Sequence, residues 1–210
     1  MGKKASTITI QALQRMPYYL HCLEQARDNG IKIISATSIA NELKLNDVLV
    51  RKDIAAVSST QGKPKAGFPV DELILDIIDY MGYNDKKEAV VVGAGSLGRA
   101  LLGNHEFEEY GLTLTAAFDV NPDLVGKEIS GVPVYDISEM EAYCMSRRIP
   151  IGIITTPSDV AQEIADSLCR AGIMAIWNFA LIRLDVTEGV LVQNENLASS
   201  LAMLSHHISK

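Results

Sequence analysis

The sequence predicts an α/β fold: a doubly wound parallel sheet that follows a small N-terminal helical module and precedes a lone C-terminal helix. Three observations carry this. Ala89-Val90-Val91-Val92 is a short, β-branched apolar run of the kind that forms a strand buried on both faces. Gly93-Ala94-Gly95-Ser96-Leu97-Gly98 follows at once and opens a helix at Arg99-Ala100-Leu101-Leu102; a second strand, Thr113 to Phe118, then ends in Asp119. Further apolar runs at Val132–Tyr135, Ile151–Ile154 and Met174–Trp177 alternate with helical stretches, which is the rhythm of a Rossmann-like sheet.

Each part of the glycine turn has a mechanical job in binding a dinucleotide. Gly93 permits the tight turn, Gly95 lets backbone approach a pyrophosphate, and Gly98 allows close helix–strand packing. The pyrophosphate would lie against the amides that Ala94, Gly95, Ser96 and Leu97 present at the helix start. An acid about 20 residues on completes the pattern. Asp119 can accept hydrogen bonds from both ribose hydroxyls, and its charge would repel a 2′-phosphate, so the expected cofactor is NAD(H) rather than NADP. The competing reading is a glycine-rich turn that binds nothing.

The chain has 210 residues, 48% of them hydrophobic, enough for two modest domains with true cores. No run is long enough for a membrane span and no apolar signal core precedes the first helix, so a cytoplasmic protein without a membrane partner is expected. Cys22, Cys144 and Cys169 lack metal-ligand spacing and read as buried thiols; no metal site is expected. The formal charge of −7 is unevenly spread. Residues 1–65 carry ten Lys/Arg against five Asp/Glu, whereas the remainder carries nine against twenty-one. Nucleic acid is therefore a candidate partner for the N-terminal section alone.

Residues 1–8 read as a basic tail. Thr9 can cap a helix whose stripe is Leu13, Met16, Leu20 and Leu23, with Pro17 kinking it or marking its start, and Gly30 ends it. Ser35 caps a short helix from Ala36 to Leu43; Lys44-Leu45-Asn46 turns; and Asn46 or Asp47 caps a third helix with Val50, Ile54 and Val57 inward. Two short helices across a tight turn read as a helix-turn-helix, with Arg51 and Lys52 outward to read base edges. The Gly/Pro/Ser/Lys-rich stretch Ser58–Phe68 reads as a wing with Lys63 and Lys65 at its tip. Ser35, Lys44, Asn46, Arg51, Lys52, Lys63 and Lys65 are thus the candidate DNA contacts, although Asp47 and Asp53 oppose them and a solvated protein-interaction module is the alternative. Val70–Tyr83 is an acidic amphipathic helix leading into the second domain and expected to pack on both.

Downstream, Ile137–Arg147 is expected to be helical, and Thr155-Thr156-Pro157 ends the strand Ile151–Ile154 at the sheet edge where ligands bind. Ser158 is expected to cap the helix Asp159–Arg170, and Leu191-Val192 to close the sheet. The final helix, Glu195–Ile208, carries Leu197, Leu201 and Leu204 on one stripe and needs a partner surface in its own chain or a second subunit. The expected domains are a winged helix-turn-helix with its linker helix (1–84), a dinucleotide domain (85–194) and a dimerisation helix (195–210).

Nearly end to end, the chain resembles the redox-sensing transcriptional repressors of the Rex family. The marks are Arg15-Met16-Pro17, Ile34-Ser35-Ala36, Val50-Arg51-Lys52-Asp53, the stretch Gly93 to Ala100, Ala117-Phe118-Asp119 and Asn178-Phe179-Ala180. The resemblance implies a homodimer joined by a swapped C-terminal helix, winged helices on a palindromic operator, and release from DNA when NADH binds. It implies no enzymatic activity. The chain departs from the family pattern at Ala56-Val57-Ser58, in the wing at Gln61–Lys65, and at three further places. Asn104 stands where an aromatic usually meets the nicotinamide pocket, Leu197 where a phenylalanine does, and His21 with Asn196 where an Arg–Asp pair can join the domains. Three alternatives accompany this reading: a Rex-like repressor with weak redox discrimination, a DNA-binding protein whose nucleotide site is purely structural, and a small NAD-dependent dehydrogenase. The last finds only His105 as a proton donor in the dinucleotide half, and about 125 residues in which to fit any substrate domain.

Overall fold

The computed structural model describes residues 8–60 and 67–209. Most of the basic tail, and both wing-tip lysines Lys63 and Lys65, lie outside the described residues. The chain separates into two compact units, Met1–Asp85 and Lys86–Lys210.

In the first unit α1 (Ile10–Asp28) begins where Thr9 accepts the Ala12 amide on its hydroxyl, 3.3 Å away. Pro17 sits inside α1 rather than at its start. Its missing N–H leaves the Leu13 carbonyl without an intrahelical donor. Gly30 (φ 75°) turns the chain beyond the C-cap Asn29 into β1 (Ile33–Ile34). Then come α2 (Ala36–Glu42), a turn in which Lys44 takes a left-handed conformation (φ 53°), and α3 (Asp47–Val57). Beyond the wing, β2 (Phe68–Pro69) pairs antiparallel with β1, Ile34 opposite Phe68. This two-residue pairing was not expected from the sequence. It makes the base of the wing, and at Gly67 (φ 79°) a Cβ would stand 2.7 Å from the Ile34 carbonyl oxygen. Met16, Tyr19, Leu23, Ile39, Ile54 and Ile77 are fully buried at the centre of this unit. Each such side chain contributes about 1.5–3 kcal/mol of burial. The buried face of α4 (Val70–Met81) belongs to this core through Leu73, Ile74 and Ile77, and Gly82 (φ 67°) ends it.

The second unit begins with β3 (Lys87–Val92), the glycine turn, α5 (Ser96–Leu102) and a one-turn α6 (Glu106–Glu109). β4 (Leu112–Asp119) lies parallel to β3; a hairpin of β5 (Glu128–Ile129) and β6 (Val132–Asp136) extends the sheet beyond β4. A 3-10 turn (Ile137–Glu139) leads into α7 (Met140–Arg147), and the chain returns across the sheet to β7 (Ile151–Ile154). α8 (Ser158–Arg170), β8 (Ala175–Asn178) and β9 (Leu191–Asn194) follow. The strand order is β5-β6-β4-β3-β7-β8-β9, parallel except for β5. The direction of winding reverses between β3 and β7, and ligands bind at such a switch point.

Side-chain alternation along β3 builds two cores. Val90 and Val92 pack with Met140 of α7 and Leu168 of α8, while Ala89 and Val91 pack with Leu102 of α5. At Gly152 a Cβ would come within 2.7 Å of Leu168 Cδ1, so α8 lies hard against β7. The capping expectation for α8 is corrected: Pro157 is its N-cap and Ser158 its first residue, because the fixed φ of proline (−55°) already sets the chain for the helix. The unit closes with α9 (Leu197–Ile208), whose Leu201, Met203, Leu204 and Ile208 are all exposed.

Candidate functional site

The C-terminal ends of β3, β4 and β7 surround a cleft of about 680 Å³. Of the sequence-predicted cofactor residues, Gly93, Gly95, Asp119, Thr155, Thr156 and Pro157 line it directly. Ala94, Ser96, Leu97 and Gly98 form the turn and helix start behind that wall. Its apolar wall had no motif to announce it: Phe118, Val120, Ile137, Met140, Val160 and Ile164 converge from four elements and fit a flat heterocycle. Glu141, Asp159 and Glu163 stand around the mouth.

The three glycines are required for three separate reasons. Gly93 takes φ 97°, and a Cβ there would also approach Thr156 Cγ2 to 2.9 Å. A Cβ on Gly98 would run into the Gly93 carbonyl oxygen. A Cβ on Gly95 would touch nothing of the protein; its bare α-carbon instead leaves open the space a phosphate would enter beside the first-turn amides of α5, which have no intrahelical acceptor. The residues present therefore fit a dinucleotide.

Asp119 is fixed before any ligand arrives. Its Oδ2 accepts the Ala94 amide at 2.6 Å and its Oδ1 the Asn121 amide at 2.8 Å, so glycine turn and ribose-binding acid are one hydrogen-bonded unit. Arg99 Nε donates to the Ala94 carbonyl at 3.0 Å from the other side. Thr155 plays a bracing part rather than presenting a free hydroxyl, because its Oγ1 donates to the Gly93 carbonyl at 2.7 Å. Thr156 differs: its Oγ1 is buried without a partner at the cleft wall. At the end of β6, Asp136 accepts the Ser138 hydroxyl and amide, which hold its carboxyl below the usual carboxylate range.

In the first unit, the helix-turn-helix residues divide into those that build the turn and those that face outward. Ser35 Oγ caps α2 by accepting the Ser38 amide at 3.0 Å. Asn46 Oδ1 caps α3 through the Val48 and Leu49 amides at 3.0 and 3.2 Å. Lys44 is exposed in the turn between them. Arg51 and Lys52 are exposed on α3, Arg51 within 3.4 Å of Asp47 one turn earlier. Asp53, by contrast, is 5% exposed and faces the core. Arg15 Nε and Tyr19 Oη each donate to Asp53 Oδ2 at 2.8 Å, and Arg15 Nη2 also lies 2.8 Å from it. The charge of Asp53 is thus met from behind by α1, and only Asp47 opposes the cations of the outer face. Burial and the bond to Asp53 push the Tyr19 phenol up to about 12. The start of the wing is tied down as well: the Ser59 amide and hydroxyl donate to Asp76 of α4 at 2.7 and 2.9 Å.

These two sites meet in known proteins. A family model described as a DNA-binding protein N-terminus matches residues 7–55, and one described as a CoA binding domain matches residues 84–182. The redox-sensing transcriptional repressor Rex of Treponema denticola is 45% identical over 193 residues, 92% of this chain and 91% of the relative. That of Porphyromonas gingivalis is 39% identical over 192 residues, 91% of this chain and 88% of the relative. The chain belongs to the Rex family. Among solved structures, the Rex-family repressor RSP in complex with β-NAD+ and operator DNA superimposes with a TM-score of 0.91 at 33% identity, covering 97% of this chain and 93% of RSP. RSP in complex with β-NADH gives a TM-score of 0.85 at 33% identity, covering 97% and 95%. Rex proteins carry the name of transcriptional repressors, which removes the dehydrogenase alternative despite the shared sheet.

Three positions where the chain departs from the Rex pattern are locally engaged. Asn104 Oδ1 accepts the Glu106 amide at 3.1 Å in a tight turn just ahead of α6, whose N-cap is His105; Asn196 Oδ1 accepts the Ser199 amide at 2.8 Å and caps α9. His21 Nε2 pairs with Gln25 Nε2 at 2.9 Å along α1. Among the described residues no cluster of three His, Cys, Asp or Glu side chains could hold a metal ion, and no helix is long and apolar enough to cross a membrane.

Proposed function

We propose that this chain is a cytoplasmic, homodimeric transcriptional repressor that leaves its operator when NADH occupies the cleft. The observation that carries this reading is the pairing, in one chain, of a dinucleotide cleft anchored on Asp119 with a basic outward helix, on a fold whose close structural relative RSP is known with both NAD+ and operator DNA and with NADH.

In this reading residues 1–84 bind DNA, 85–194 bind NAD(H) and 195–210 join two subunits. Asp119 takes the ribose hydroxyls and repels a 2′-phosphate, Gly95 with the amides of Ser96 and Leu97 holds the pyrophosphate, and the apolar wall of Ile137, Met140 and Val160 holds the adenine. Thr156 offers a hydroxyl to the ligand, while Thr155 and Arg99 keep the turn in shape. Arg51 and Lys52 reach base edges, and Lys44, Lys63 and Lys65 contact phosphates. Ser35 and Asn46 contribute by shaping the turn that presents α3. The dinucleotide, when bound, supplies the differential affinity that shifts the dimer between DNA-competent and DNA-incompetent states.

Asn104 and Leu197, which stand where the family's pocket aromatics usually do, favour a second reading, in which NADH and NAD+ are poorly distinguished. One experiment decides between them: fluorescence anisotropy of a labelled operator duplex at fixed salt, with NADH and NAD+ added in parallel. Release by NADH at concentrations where NAD+ leaves the complex intact supports the sensor. Equal release by both supports the second reading, and no effect of either refutes a coupled site.

A further inference from the structure

Two residues on the outer face of α3 have no assigned work. The core side of this helix is Val50, Asp53, Ile54 and Val57. Val48 and Leu49, in the first turn, are 66% and 36% exposed, Val48 on the outer face and Leu49 at its flank. An exposed first turn favours polar side chains, and a β-branched valine there gives up helix propensity. Val48 lies three and four residues before Arg51 and Lys52, so apolar and cationic groups share one face. Asn46 caps the amides of both Val48 and Leu49, which fixes the direction of that turn. A surface of aliphatic carbon flanked by two cations suits the floor of a DNA major groove, where the only apolar feature is the thymine C5-methyl.

We propose that Val48 and Leu49 read thymine methyl groups, so that the half-site contains thymines recognised by burial rather than by hydrogen bonds. The proposal rests on α3 being the DNA-reading helix. Each methyl buried against these side chains corresponds to about fourfold in affinity.

The test enriches a preferred duplex from a random pool with the full-length protein, then replaces each thymine by uracil in turn. Uracil keeps every hydrogen-bonding group and loses only the methyl. The expected result is a fall of about fourfold at one or two positions in each half-site. Val48→Ala and Leu49→Ala, both at exposed positions, should bind the thymine duplex more weakly, and between them should be indifferent to uracil at those positions. Indifference of the parent protein to every replacement overturns the proposal, as does methyl sensitivity that survives both variants. Failure to enrich any sequence refutes specific DNA binding itself, a distinct outcome that removes the proposal with it.

Discussion

Arg15, Tyr19 and Asp53 form the residue-scale centre of the first unit. A carboxylate this deeply buried is tolerable only because α1 supplies a guanidinium and a phenol at 2.8 Å. Arg15→Met leaves that charge uncompensated and should destabilise the unit by about 3–5 kcal/mol in urea unfolding. Tyr19→Phe removes one donor from a buried acceptor and should cost about 1–3 kcal/mol. The pH dependence has a defined sign. The folded phenol of Tyr19, at about 12, lies above its ordinary value of 10, so its contribution is complete below pH 10 and is lost as pH rises toward 12. Burial likewise pushes the Cys144 thiol from 9 up to about 11, with loss between those values. Thermal melts should hold steady to about pH 9 and decline through 12. A melting temperature that rises over that interval would contradict both assignments.

The glycine turn separates structural from ligand-dependent constraint in one pair of variants. Gly95→Ala meets no protein atom and keeps an ordinary extended φ of −70°, so the protein should fold and melt as the parent while NADH affinity in calorimetry falls at least tenfold. Gly98→Ala meets the Gly93 carbonyl and should destabilise the second unit outright, although alanine is normally the better helix former. Equal NADH binding by Gly95→Ala and parent would remove the pyrophosphate from this turn.

Among elements, α9 asks most plainly for a partner. Four large apolar side chains of a twelve-residue helix face solvent. Ending the chain at Asn194 should convert a dimer to a monomer in light scattering, and a full-length monomer would rule out this role for α9. The long elements were legible in the sequence because periodicity and caps agreed: α1 from Thr9, α3 from Asn46, β3 and β4 around the glycine turn. The missed elements are short and owe their existence to tertiary pairing. β1 and β2 have two residues each and exist only as each other's partners, with Phe68 opposite Ile34 across 34 positions of sequence. β5 exists as the hairpin partner of β6, and α6 is a single turn entered through the Asn104–Glu106 bond. At the cleft, the glycines and Asp119 were readable from spacing. The apolar wall was not, since its residues come from distant segments with no shared motif. The Arg15–Asp53 bond spans 38 residues, and Asp53 could be read from sequence only as a charge opposing DNA.

At the scale of the whole molecule, charge and function divide along the chain. The first 65 residues are basic and the rest acidic, so DNA affinity should fall steeply with salt through phosphate contacts of the first unit, while NADH binding should change little. The account stands on a coupling between the Asp119 cleft and the α3 surface, and coupling free energies are reciprocal. The most direct measurement is NADH calorimetry on the free dimer and on the dimer saturated with operator. The account predicts weaker NADH binding in the complex, by the same factor by which NADH weakens operator binding. Identical NADH affinity with and without operator would contradict it.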